Sequence, residues 1–135
     1  MLTDTGGLPL VVQTGPANER DERRVPALLD AFPTIPGPRG RPRTKPAVLQ
    51  GDAGYGFAHT IAAVKARGIR PLLKPRGTGE HGSGLGKTRY VVERTQSWFG
   101  NFRRIKLCYE RTPEHFQAFH DLGATMILAN RLWAA

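Results

Sequence analysis

Two carboxylates stand among neighbours that could turn them to chemistry. Asp52 lies in QGDAGYGF (50–57), between glycines and directly after the apolar run AVL. Glu93 lies in RYVVERTQSWFG (89–100), with bases on either side. A tight turn would account for the first. A helix salt-bridge ladder, worth roughly 0.2–0.5 kcal/mol per pair, would account for the second. The chemical alternative is metal ligation. Two hard oxygen ligands, one from a strand end and one from a helix, suit Mg²⁺, with Mn²⁺ able to replace it. That ion keeps much of its water and is held by carboxylates plus substrate phosphates. It can activate a hydroxyl for in-line phosphoryl transfer and stabilise the leaving oxygen.

Several elements must position these groups. LPLVVQTG (8–15) reads as a strand, and DERRVPALLDAF (21–32) as a short helix with Val25, Leu28, Leu29 and Phe32 on one side. KPAVLQG (45–51) is a short buried strand that ends at Asp52, outside the strand ends where ligands of α/β sheets bind. Glycines 51, 54 and 56 let that turn approach a large substrate closely. FAHTIAAVKARG (57–68) has Phe57, Ile61 and Val64 at helical spacing and stops at Gly68. The prolines of IRPLLKP (69–75) predict an edge strand. Five glycines between Gly77 and Gly86 predict a mobile loop.

A long helix is then expected from about Tyr90 to Tyr109, with Trp98, Phe102, Ile105 and Tyr109 as its buried stripe and Cys108 packed within it. At about 100° per residue, Glu93 stands about 140° from Trp98, while Arg89, Gly100 and Arg104 lie within about 40° of Glu93. One carboxylate is thus flanked by two guanidiniums, with a glycine leaving room. TPEHFQAFHDLGATMILANRLW (112–133) is a last helix, with Thr112 as N-cap and Pro113 in the first turn. The alternation predicts an α/β fold.

Charge narrows the partners. The 135 residues amount to one domain and carry a formal charge of +9. The stretch GPRGRPRTKP (37–46) holds Arg39, Arg41, Arg43 and Lys45 and no acid; its prolines and glycines predict an irregular basic loop. Lys74, Arg76 and Lys87 mark a second, glycine-rich basic loop over 74–88, with Arg89 just beyond it. Clustered bases of this kind contact phosphates, so nucleic acid is the expected partner, with these residues and Arg104 as its expected contacts. One cysteine makes an intracellular location the default. No apolar run reaches the roughly 20 residues that cross a bilayer, so no membrane partner is expected. Histidines 59, 81, 115 and 120 form no HxH or HExxH pair, and GSGLGKT (82–88) is one residue short of a P-loop.

Three blocks carry a family resemblance: GLPLVVQTGPANERD, VLQGDAGYG and YVVERTQSWFGNFRRIKLCYER. Together they resemble the C-terminal part of the catalytic domain of DDE transposases of the IS5/IS4-like bacterial insertion-sequence type, over roughly residues 3–132. The resemblance implies an RNase H-like core that cuts and joins DNA with two divalent metal ions. It makes Asp52 the second aspartate of the triad and Glu93 the glutamate. Arg89 and Glu93 match the family's RxxxE; Gly86 and Gly100 stand where a tyrosine and a basic residue are usual. The first aspartate of the family lies on an earlier strand, and Asp4 matches a turn instead. The expectation is therefore a partial RNase H-like fold lacking its N-terminal strand or strands. Residues 1–135 would be a truncated domain, inactive alone and partnered by the upstream transposase segment or a second copy. A non-catalytic DNA-binding remnant and an RNA-binding accessory protein are the alternatives.

Overall fold

In the computed structural model of this chain, residues 1–37, 40–74 and 86–134 are described, with side chains in the last stretch described from Tyr90 onward. Two compact units result: Met1–Ala17 with Tyr90–Ala135, and Asn18–Arg89.

The first unit begins with a hairpin that the sequence signals only in its second half. β1 (Leu2–Thr3) pairs antiparallel with β2 (Pro9–Val11), Leu2 opposite Val11. Asp4 closes the turn between them: its Oδ1 accepts the N–H groups of Gly6 and Leu8, each at 2.8 Å. Gly7, at φ +85°, takes the left-handed conformation that glycine adopts without penalty. The Asp4 carboxylate thus serves the turn, as its place in the sequence predicts.

The long helix expected from Tyr90 to Tyr109 is two helices. α3 (Gly86–Gly100) stops at the glycine, Phe102 is extended, and α4 (Arg103–Lys106) is a single turn. Gly100 costs a helix the most backbone entropy and has no side chain to hold the next turn. The break also allows close packing that a continuous helix would forbid. A Cβ on Gly123 would lie 2.9 Å from Ile105 and 3.4 Å from both Phe99 and Phe102. Hence Thr95 and Phe99, rather than Trp98, form the buried line of α3. Tyr109 is 56% exposed. Cys108 is exposed as well, outside any helix, with Sγ 3.7 Å from the Glu110 carbonyl. α5 (Pro113–Trp133) matches the expected helix, and Thr112 Oγ1 accepts from the His115 N–H. Gln117 ties α5 to the end of β2, accepting from the Thr14 N–H at 2.7 Å and donating to the Val12 carbonyl at 2.9 Å.

In the second unit a 3₁₀ turn (Asp21–Arg24) leads into α1 (Val25–Asp30), which buries Val25, Leu28 and Leu29. β3 (Val48–Gln50) and β4 (Arg70–Leu72) are parallel, with α2 (Ala58–Ala66) between them in sequence. The Arg70 N–H donates to the Ala47 carbonyl at 3.0 Å. Pro71, which has no N–H, therefore faces away from β3, and β4 is an edge as its prolines predict. α2 ends at Gly68, φ +68°, where Lys45 Nζ donates to the last-turn carbonyl of Arg67 at 2.8 Å. Arg67 in turn grips Asp30 with Nε and Nη2, at 2.8 and 2.9 Å. That hydrogen bond holds the exposed Asp30 carboxyl below its ordinary range.

Inside α2, Thr60 is 1% exposed and its hydroxyl has no hydrogen-bond partner. Thr60→Val replaces an unsatisfied buried hydroxyl with a methyl of similar size. It is expected to raise stability by about 1 kcal/mol, read as a later urea midpoint at unchanged slope.

The basic loop is less irregular than its composition predicts. Ile35 and Arg43 form an antiparallel bridge, with N–H to carbonyl distances of 2.8 and 2.9 Å in the two directions. The loop is pinned at its base while Arg41 and Arg43 stay exposed. Arg39 and Arg76 lie outside the described residues, as does most of the glycine-rich loop.

Candidate functional site

Asp52 caps a 3₁₀ turn, Ala53–Tyr55, that follows β3 directly. Its Oδ1 accepts the Gly54 N–H at 2.8 Å, which orients the carboxylate; among the described residues Oδ2 has no hydrogen-bond partner. A Cβ on Gly51 would meet Leu73 at 2.8 Å and Tyr55 at 3.3 Å. The glycine before Asp52 is thus required by packing inside the unit, where the sequence reading assigned it to substrate approach.

Tyr55 gathers charge that the sequence reading missed. Burial first, then the charges of Asp21, Asp52 and Glu22, push its phenol above the usual tyrosine range. Glu22 is itself only 6% exposed. The signal was present as the acidic pair opening DERR, read simply as a helix start. Below about pH 10 the phenol is neutral both folded and unfolded. Above it the unfolded chain ionises first, so stability falls as pH rises toward the folded value. Tyr55→Phe should abolish that part of the alkaline loss, measured as the urea midpoint across about pH 8 to 11.

Glu93 sits on α3 and is exposed. Among the described residues its carboxylate has no hydrogen-bond or ion-pair partner. On the Arg104 side, the ladder expected on its face does not form. Arg104 lies beyond the helix break and is paired with Glu110, with Nη2 to Oε1 at 2.7 Å, while its guanidinium covers the Phe119 ring at 4.5 Å. The side chains of Lys87 and Arg89 lie outside the described ones. The next residue, Arg94, is held between Tyr90 and Trp98 at 5.3 and 5.2 Å from their centroids and donates to the Gly6 carbonyl.

The cations of the second unit divide into two kinds. Arg41 and Arg43 are exposed, whereas Lys45 is occupied at the end of α2. Lys74 is half-buried. Among the described residues no helix is long and apolar enough to cross a membrane.

Comparison with known families matches residues 1–128 to the transposase DDE domain. The chain belongs to that family. It is 42% identical over 132 residues to a protein of Burkholderia cepacia named "Putative transposase for insertion sequence element IS402". The match covers 98% of this chain and 62% of that relative's length. No solved structure matches. The mixed α/β elements are those of a DDE domain, and the resemblance carried by VLQGDAGYG and YVVERTQSWFG is one of real kinship.

The carboxylates of this DDE domain suit a hard divalent ion in kind. Among the described residues, Asp52 has a partner on Oδ1 alone and Glu93 has none. In number they fall short: among the described residues no group of three or more His, Cys, Asp or Glu side chains is gathered to hold a metal. Asp52 belongs to one compact unit and Glu93 to the other. Asp4 Oδ1 accepts two backbone N–H groups of its own turn.

Proposed function

We propose that this chain is part of a transposase catalytic core that cleaves and joins DNA, with Asp52 and Glu93 as two of its metal-binding carboxylates. The observation that carries the reading is the pairing of family membership with the local geometry of Asp52. A carboxylate at the end of a strand is oriented by its own turn and leaves one oxygen directed elsewhere. A bound Mg²⁺ would supply charge for an in-line phosphoryl transfer. The protein's part is to hold the donors and to seat the DNA backbone through Arg41, Arg43 and the neighbouring bases.

Two donors place an ion without fixing the geometry of attack, and positioning supplies most of the rate in such chemistry. In this reading the elements belong to an RNase H-like core. The reading calls for a third carboxylate besides these two, and this chain spans 62% of the length of the relative it matches. The chain alone should then nick supercoiled plasmid negligibly in Mn²⁺, and adding the remaining portion, fused or in trans, should produce metal-dependent nicking. Robust nicking by the chain alone would contradict the division of ligands. The lack of a three-ligand cluster among the described residues also supports a second reading, a DNA-binding remnant without turnover. That reading predicts no nicking in either arm.

A further inference from the structure

We infer that α5 is a self-association surface through which two copies of this chain pair antiparallel. Each Trp133 is seated in the groove beside Leu122 of the other copy. The pairing is independent of the metal reading.

α5 has two apolar faces. One packs within the chain: Gly123 lies against Phe99, Phe102 and Ile105, and His120 stacks on Phe99 with centroids 5.9 Å apart. On the other, Phe119, Leu122, Met126, Ala129 and Trp133 recur in alternating steps of three and four residues, the spacing of a helix-pairing seam. At about 100° per residue they fall within about 80° of one another. Large side chains of this face are exposed: Trp133 by 85%, Leu122 by 55% and Met126 by 46%. No charged residue between His115 and Trp133 lies on it, since Asp121 and Arg131 stand about 140° from Met126. Such a face offers nothing to phosphates. Nor does α5 suit a membrane surface, where a polar side rich in bases is needed; Arg131 is its one Lys or Arg.

A second copy fits this face in register and in charge. Phe119, Leu122, Gly123 and Met126 line a groove, with Arg103 and Arg104 beside them. Trp133 stands roughly 16 Å further along the same helix than Leu122, so it cannot fill its own groove. An antiparallel partner can fill it. With each Trp133 level with the other copy's Leu122, the same register sets each Ala129 against the other copy's Met126. Small then faces large in both inner layers, and the twofold symmetry closes the pair. The carboxyl end of α5 carries the negative pole of the helix dipole, and the exposed Arg103 is the cation that it meets in the groove. At roughly 200 Å² per buried aromatic, two tryptophans, the grooves that receive them and the inner layers bury about 1,100 Å² in all, the low end for a specific interface. A dimer of micromolar affinity is expected.

Sedimentation equilibrium on the full chain, from about 1 to 300 µM, should show a reversible monomer–dimer equilibrium. Salt of about 0.3 M screens the repulsion between two copies of net charge +9. Leu122→Glu and Trp133→Lys alter exposed side chains, so circular dichroism should be unchanged. Each alone should weaken pairing at least about a hundredfold, because an unpaired charge is buried twice. Mixed in equal amounts, the two variants should associate again within about tenfold of the parent. The introduced charges then face each other, and the second Leu122–Trp133 layer is native. Arg103→Ala should weaken the dimer about fivefold, the contact being made twice. Leu128→Gln, about 160° from Met126 on α5, should leave it unchanged. A parent that stays monomeric across this range overturns the proposal, whether or not it binds anionic vesicles. Dimers that persist in Leu122→Glu and Trp133→Lys place the interface elsewhere and overturn it too. So does a mixture that fails to reassociate, since the pairing is then not antiparallel in this register.

Discussion

Between about 50 and 200 mM salt, the affinity of this chain for duplex DNA is expected to fall roughly a thousandfold. Seven bases cluster in the two basic stretches: Arg39, Arg41, Arg43, Lys45, Lys74, Arg76 and Lys87. Lys45 holds the Arg67 carbonyl at the end of α2, so the other six, read from the sequence, are counted as phosphate contacts. At about 0.9 counterions released per phosphate, six contacts give a slope near −5 in log affinity against log salt. Replacing Arg41 or Arg43 by alanine should make that slope shallower by about one each, with little change in sequence preference. Lys45→Ala should leave it nearly unchanged and lower stability instead, because α2 loses a capping contact. Fluorescence anisotropy on a labelled duplex at five salt concentrations measures all of this. A flat slope would mean that DNA is not held through its backbone here.

In the completed core, Glu93→Gln should lower plasmid nicking by about two to three orders of magnitude, the size expected when one preorganised charge partner is lost. Glutamine keeps the shape and removes the charge, so α3 and its contacts with the Asp4–Leu8 turn should survive. DNA affinity at fixed salt should then stay within about twofold of the parent, since Glu93 holds no phosphate and is exposed. Asp52→Asn should behave alike, because asparagine Oδ1 can still accept the Gly54 N–H that forms the turn. Cleavage lost together with binding would mean that the residue holds the fold or the DNA, and that the ion is held elsewhere.

Much of this was legible because local chemistry decides it. Thr112 followed by Pro113 starts α5, Gly68 ends α2, and the apolar spacing of Val25, Leu28 and Leu29 selects the buried side of α1. Asp52 at a strand end and Glu93 on a helix were readable for the same reason. The failures came where tertiary packing overrode periodicity. An unbroken stripe from Trp98 to Tyr109 was a sound helical pattern. Yet Gly100 ends the helix, and Phe102 and Ile105 instead close on Gly123, a partner that lies some twenty residues along the chain. Lys45 looked like one more phosphate-seeking base because nothing in its neighbourhood shows that a helix ends against it. Thr95 passed unnoticed, since a threonine beside a charged pair has no periodic signature; only its contact with Gly7 shows that it is polar and buried. The carboxylates of Asp21 and Glu22 beside Tyr55 were likewise hidden by their distance in sequence.

The central proposal is that cleavage by the completed core needs both Asp52 and Glu93, and a double-mutant cycle on that core tests it most directly. Nicking rates in Mn²⁺ would be measured for the parent, Asp52→Asn, Glu93→Gln and the double variant, with salt-dependent DNA binding as the control for folding. If cleavage needs both carboxylates, each single change removes nearly all of the rate and the double variant is no slower than either, since groups that work together are strongly non-additive. Losses that multiply across the cycle, or a Glu93→Gln protein that still nicks, would contradict that joint requirement.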